Sequence, residues 1–394
     1  MLTSLALIFL VGMLFGSIFA GLRLPSLIGM LLAGMLLGPY ALNMLDISIL
    51  SISESLRQLA LVIILIRAGL SLDLNDLKRV GRPAMLMCFL PACFEILGMV
   101  LLAPKIMGIS VLEAAIMGSV VAAVSPAVVV PRMLMLMDKG YGREKSIPQL
   151  IMAGASVDDV FVIVLFTSFT ALATGSRMSF ARLAEIPVAI FLGIIVGALL
   201  GLLLAGFFKR LHMRDSAKLL IMLSTAFLLV AAEKQIENII PFSGLLAVMS
   251  VGVAILRFYP VLAPRLSARF SKLWVAAEIM LFVLVGATVD ISYAASAGAK
   301  AAFLLLFVLL FRMVGVFFCL LRTGLNLRER LFCMVAYIPK ATVQAAIGGI
   351  PLSMGLGCGS LVLTVAVLSI LITAPLGAFG IDLLYKRSLS RQLP

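Results

Sequence analysis

The sequence predicts an all-α polytopic membrane protein of thirteen transmembrane helices, arranged as two inverted six-helix repeats joined by a linker helix. Three observations predict it. Of the 394 residues, 63% are hydrophobic and only 12% charged, and the mean hydropathy is +1.21. A soluble fold of this length needs a charged skin that 12% cannot supply. The basic residues concentrate in alternate connections between apolar runs. Finally, a single offset of 217 residues lays the first six apolar runs on the last six.

The runs cover 3–22, 25–40, 57–74, 83–104, 112–136 and 147–173, then 186–208 as the linker. They resume at 217–236, 241–258, 271–291, 300–322, 330–353 and 359–384. They are too long and continuous for the alternating strands of a membrane barrel. The first run lacks a basic flank and has a counterpart at 217–236, so it reads as a retained helix rather than a cleaved signal.

Counted over the connections, the run ends that flank them and the C-terminus, one side holds 22 Lys and Arg and the other 6. A missed helix would exchange every later loop and erase that asymmetry. The richer side is expected in the cytoplasm, with the N-terminus outside and the C-terminus inside. The net charge of +13 therefore points to a membrane face and not to nucleic acid. Arg67, Arg312 and Lys340 fall within helices. The five cysteines have no metal-ligand spacing and read as packed free thiols. The only histidine, His212, lies in a basic loop, so no histidine-centred metal or catalytic site is expected.

The repeat is visible where "AGLSLDL" (68–74) meets "VGATVDI" (285–291). The same offset pairs Gly69 with Gly286, Asp73 with Asp290, Gly81 with Gly298 and Gly98 with Gly315, and brings Pro25 within one residue of Pro241. Seven helices separate equivalent positions, an odd number, so the two halves have opposite orientation. The offset also pairs Glu95 with Arg312, and "VAAVSPAVVVP" (121–131) with "IPKATVQAAI" (338–347). Pro126 and Pro131 interrupt the first of these and Pro339 the second. Freed backbone groups at membrane depth are tolerated only where protein or water satisfies them. Two broken helices in corresponding places of inverted halves mark an ion site in secondary transporters.

Asp158 and Asp159 sit in "GASVDDVFVIVLF" (154–166), eleven residues into their run. At 1.5 Å per residue that is ~16 Å deep, about half the hydrocarbon core. An aspartate there costs ~2.5–3.5 kcal/mol on the insertion scale, so two in succession point to function. Adjacent helical positions differ by ~100°, so one acid faces the cavity and the other the broken helices. A buried carboxylate that holds a proton, then yields it to a cation, suffices for exchange. Arg312 cannot release a proton, and with Glu95 it reads as a buried pair that fixes structure. Lys340 lies at the second break, where it can compensate helix-end carbonyls, with Glu278 as a possible counter-charge. Arg67 reads as a snorkelling side chain, and Asp73 and Asp290 as helix caps.

The paired acids, the "AVSPAVVVP" break and the "PKATVQAAIGG" break together resemble the sodium/proton antiporters of the NhaA/NapA fold, within the monovalent cation:proton antiporter superfamily. The two breaks are most similar to the NHA branch. The resemblance covers essentially the whole chain. It implies crossed broken helices and an elevator mechanism, with a mobile core at 83–173 and 299–394. The scaffold would be 1–82 and 217–298, forming a homodimer, with 174–216 as linker. It also implies Asp159 as principal cation- and proton-binding acid, Asp158 as accessory, and Ser125 and Thr342 hydroxyls near the ion. Electrogenic members carry a lysine where this chain offers Arg312, which leans the expectation towards electroneutral exchange. Potassium efflux systems of the same fold carry a large cytoplasmic domain, whereas this chain ends about ten residues after its last apolar run.

The expected function is exchange of Na+ (or Li+) for H+ by alternating access, in a lipid bilayer such as a bacterial inner membrane, with no cofactor beyond the transported ions. The alternatives are a sodium-coupled organic-anion symporter of similar fold, a K+/H+ exchanger and a gated cation channel. An enzyme is not expected, because no nucleophile, metal cluster or cofactor loop is present.

Overall fold

A computed structural model describes residues 1–71, 81–174, 180–211, 213–236 and 242–391. The loop residues Lys78, Arg79 and Arg177, the candidate cap Asp73, and His212 and Pro241 lie outside the described residues, as do the side chains of Arg182 and Lys234.

The described chain is helical through most of its apolar runs. The helices are α1 (Leu2–Gly21), α2 (Ser26–Leu37), α3 (Ile47–Ser51), α4 (Ser53–Ser71), α5 (Arg82–Met87), α6 (Leu90–Met107), α7 (Val111–Val121), α8 (Pro126–Asp138) and α9 (Ile147–Thr174). They continue as α10 (Phe180–Arg210), α11 (Asp215–Ile236), α12 (Gly244–Phe258), α13 (Leu262–Ala287), α14 (Ile291–Cys319), α15 (Leu327–Ala336), α16 (Thr342–Ile347), α17 (Ile350–Ser353) and α18 (Gly359–Ser388). Among the described residues, nine helical stretches are long and apolar enough to cross a membrane. Helices α2 and α12 are apolar but shorter, α4 carries Glu54, Arg57 and Arg67, and the 327–353 stretch is broken.

Several helices run past the predicted boundaries. Helix α13 begins nine residues before 271 and α14 nine before 300. Hydropathy marks only the apolar part of a helix. The leading turns of α13 hold Arg265 and Arg269, and those of α14 are mostly serines and small residues, so they escape a hydropathy reading. The predicted 83–104 segment is divided at Cys88 and Phe89, just before Pro91 in the first turn of α6. The end of α6 is turned by Gly108 at φ 71°, a conformation that favours glycine. Capping boxes start α7 (Ser110 with Glu113) and α15 (Asn326 with Glu329), each satisfying two otherwise orphaned amides. Four cysteines are buried, and Cys93 is exposed on α6.

The chain divides into two compact units. One takes in 1–54, 73–174 and 279–394, the other 55–72 and 175–278. In the second, Gly193, Gly197 and Gly201 form a stripe on α10 that lets α12 approach through Ser243, Ala247 and Val251. Dispersion between close backbones holds such pairs where no hydrophobic driving force exists. Gly69 meets the Met249 carbonyl and Gly252 the Ile66 carbonyl. In the first unit, Gly286 meets the Leu31 carbonyl and Gly34 that of Val283. A β-carbon at Gly98 would lie 2.7 Å from the Phe311 ring, and one at Gly315 3.0 Å from Phe94 Cβ. Near the basic end of the same unit, Lys145 pairs with the buried Glu329 at 2.8 Å, and Tyr141 stacks edge-on with Tyr385 of α18 at 5.0 Å.

Candidate ion site

The site forms where the two broken runs meet inside the first unit. Pro126 has no amide to continue α7, so the chain is unwound over 122–125 before α8 starts. Pro339 does the same over 337–341, between α15 and α16. The breaks are tied directly: Ser125 N donates to Pro339 O at 2.7 Å. The Ser125 and Thr342 hydroxyls lie 3.3 Å apart. Gly377 on α18 leaves room for the Pro339 ring, which a β-carbon would strike.

Every backbone group that the first break frees needs a partner at this depth. The carbonyls of Val121 and Ala123 accept from Gln344 Nε2 at 3.1 and 2.9 Å. That of Ala122 accepts from Arg312 Nη1. Val124 N donates to Asp158 Oδ2 at 2.9 Å. At the second break, Arg312 Nε donates to Tyr337 O at 2.7 Å and Lys340 N to Thr373 Oγ1 at 2.9 Å. Side chains therefore substitute for helix hydrogen bonds at both interruptions.

Those side chains form one buried charge cluster. Arg312 Nη1 lies 2.7 Å from Glu95 Oε2, and its Nη2 2.9 Å from Asp158 Oδ2. Lys340 Nζ lies 2.8 Å from the Glu95 carboxylate. The Arg312 guanidinium also sits 5.2 Å from the centre of the Tyr337 ring, whose hydroxyl donates to Met87 O at 3.2 Å. Asp159, 9% exposed, has no hydrogen-bond or ion-pair partner among the described residues, and its Oδ1 is fully buried. The cluster thus holds three carboxylates, Glu95, Asp158 and Asp159, against two cations, Arg312 and Lys340. With all five ionised it carries one uncompensated negative charge. A buried charge of that kind is tolerated only if something positive joins it.

A family model for the sodium/hydrogen exchanger, transmembrane, matches residues 5–386. The chain belongs to the sodium/hydrogen exchanger family. It is an integral, multi-pass membrane protein and a secondary transporter of the monovalent cation:proton antiporter superfamily, not an enzyme. It is similar to human sodium/hydrogen exchanger 9B2, 34% identical over 382 residues, covering 93% of this chain and 70% of the relative. Human sodium/hydrogen exchanger 9B1 is 31% identical, covering 93% and 73%. Among solved structures, the sodium proton antiporter MjNhaP1 from Methanocaldococcus jannaschii shares the fold, with a TM-score of 0.85 at 20% identity, covering 98% of this chain and 97% of that one.

Within this exchanger the structure gathers Asp158, Asp159, Ser125, Thr342, Glu95, Arg312 and Lys340 in one place. The Glu95–Arg312 contact expected from the repeat is made, but Arg312 also pairs with Asp158, so the pair is part of a network. Lys340 differs from expectation: its partner is Glu95, and at the second break the Tyr337 carbonyl is taken by Arg312. Glu278 instead lies near Trp274 and in the field of Arg67. Asp290 acts as a cap, accepting from Ser292 N at 2.9 Å. Gln344, Tyr337 and Thr373 were not singled out by sequence reasoning. Gln344 had a signal, being an amide inside the uncharged stretch "ATVQAAI".

Proposed function

We propose that this exchanger trades one Na+ (or Li+) for one H+ at Asp159 by alternating access. The observation that carries the reading is the charge count around Asp159. Asp158 is neutralised by Arg312 and by the Val124 amide, and Glu95 by Arg312 and Lys340. Asp159 alone is left without a partner among the described residues. One proton or one monovalent cation restores neutrality, and both cannot occupy the carboxylate at once. Arg312 cannot supply a proton in place of Asp159, and Asp158 and Lys340 each keep an ion-pair partner, so one proton leaves for each cation and the exchange is electroneutral. The names of the 9B relatives support Na+ as the cation.

The conformational part of the proposal is a thirteen-span protein of two inverted repeats, with 83–173 and 299–394 moving as a core against a dimeric scaffold. Reciprocal contacts support the repeat. Gly98 meets Phe311 while Gly315 meets Phe94, and both legs are 217 residues apart. Gly69 on Met249 mirrors Gly286 on Leu31, and Gly252 on Ile66 mirrors Gly34 on Val283, with α2 and α12 displaced by 218. Under a two-fold relation a residue touches its own counterpart only near the axis. Glu95–Arg312 and Ser125–Thr342 are such pairs, at 2.7 and 3.3 Å, which supports an ion site on that axis. The proposed core falls in one compact unit, which also takes in 1–54 and 279–298. The basic-loop asymmetry supports a cytoplasmic C-terminus, in a membrane such as the bacterial inner membrane.

The test is purified protein in liposomes holding a pH dye. Addition of Na+ or Li+ should collapse a preformed proton gradient, with saturation. A flux that persists without a proton gradient and never saturates with cation would indicate a channel and sink the reading.

A further inference from the structure

We infer that Gln344 sets the cation preference of the exchanger, offering its side-chain oxygen as a neutral ligand that a cation uses and a proton does not. The inference rests on the exchange reading above. Gln344 is 0% exposed and follows directly on the second break. Its Nε2 donates to the Val121 and Ala123 carbonyls, and two carbonyl acceptors fix which end of the carboxamide is nitrogen. The oxygen is therefore directed elsewhere. It is buried and has no hydrogen-bond partner among the described residues. Leaving an amide oxygen buried and unpaired is costly, and native structures rarely keep one without a reason.

The surroundings supply the reason. Helix α16, which carries Gln344, packs against α9, which carries Asp159. Asp159 Oδ1 and Asp158 Oδ1 are likewise buried and without a hydrogen-bond partner among the described residues. Acceptors left without donors are what a dehydrated hard cation needs, since it binds through several oxygen lone pairs at once. A proton is satisfied by a single carboxylate oxygen. An orphan neutral oxygen on a helix packed against that of the exchanging acid can therefore stabilise the cation-loaded state and leave the protonated state alone. The two amide hydrogens hold that oxygen in place by anchoring it to the backbone of the first break, so its reach is set by the length of the Gln344 side chain.

The experiment measures Na+- and Li+-driven proton flux in liposomes for wild type, for Gln344→Met, which keeps the length and loses the amide, and for Gln344→Asn, which draws the oxygen back by one methylene. The expected result for Gln344→Met is an apparent KM for Na+ raised about tenfold with the maximal rate kept, as for a lost ligand. The Na+ to Li+ ratio of KM should change in both variants, because a displaced or missing oxygen serves ions of different radius unequally. A purely structural Gln344 would lower thermal stability and leave that ratio at its wild-type value, and this result would overturn the inference. If Gln344→Met does not fold, the ratio in Gln344→Asn decides alone. Wild type without any cation-driven flux would fault the exchange reading and not Gln344.

Discussion

Arg312→Ala removes the side chain on which most of the site depends, and the structure sets the size of the effect. Arg312 is 1% exposed and bonds Glu95, Asp158 and the carbonyls of Ala122 and Tyr337. Its removal leaves Asp158 with only the Val124 amide, and Glu95 with only Lys340. Breaking a buried pair from one side costs about 3–5 kcal/mol, because the remaining charge stays buried. That corresponds to a fall on the order of 10 °C in apparent melting temperature. Glu95→Ala should cost less, since Arg312 retains Asp158 and both carbonyls. In the double variant the losses should fall short of additivity by about 1–3 kcal/mol, the coupling expected of residues in one network. The rescue is incomplete, because Lys340 then loses its partner too. Thermal unfolding of the four proteins in detergent measures the cycle. Strictly additive losses would mean that Glu95 and Arg312 do not interact, and the charge count would fail with them.

The remaining expectations concern the acids and the packing. Asp159→Asn should abolish cation-driven proton flux in liposomes while the protein stays folded, since an amide has no proton to trade; wild-type flux in the purified variant rules the assignment out. Asp158→Asn should lower both flux and thermal stability, because it weakens the Arg312 and Val124 contacts as well as the charge balance. Ser125→Ala combined with Thr342→Ala should raise the cation KM by no more than about tenfold, roughly one hydrogen-bonding group's worth, and an unchanged KM would place both hydroxyls away from the ion. Gly34→Ala, whose β-carbon would strike the Val283 carbonyl, should destabilise by about 1–3 kcal/mol in thermal unfolding; a neutral result there would show that α2 and α13 do not pack so closely.

What the sequence made legible follows from what carries a one-dimensional signal. Apolar length marked the helical runs, prolines at 126 and 339 marked the breaks while Pro131, also read as an interruption, lies inside α8, and acids inside apolar runs marked Asp158 and Asp159. The 217 offset anticipated the Glu95–Arg312 contact because a repeat relates positions in pairs. The starts of α13 and α14 were missed because their leading turns carry arginines in one case and mostly serines and small residues in the other. The Lys340–Glu95 pair was missed for a different reason. Lys340 and Glu95 are 245 positions apart and are not repeat counterparts, so only the meeting of the breaks brings them together. Gln344 escaped because a single amide is ambiguous in sequence. Its meaning lies in which carbonyls it caps and which of its own atoms is left over.

The central claim is that three buried acids against two buried cations leave one charge, filled by one proton or one monovalent cation at Asp159. The most direct measurement is Na+-driven proton flux in liposomes whose potential is clamped with valinomycin and K+. One-for-one exchange moves no net charge, so the initial rate should stay the same when a potential of either sign is imposed. A rate that changes several-fold with potential, and reverses its response with the sign, would contradict the account and show that more than one proton crosses for each cation.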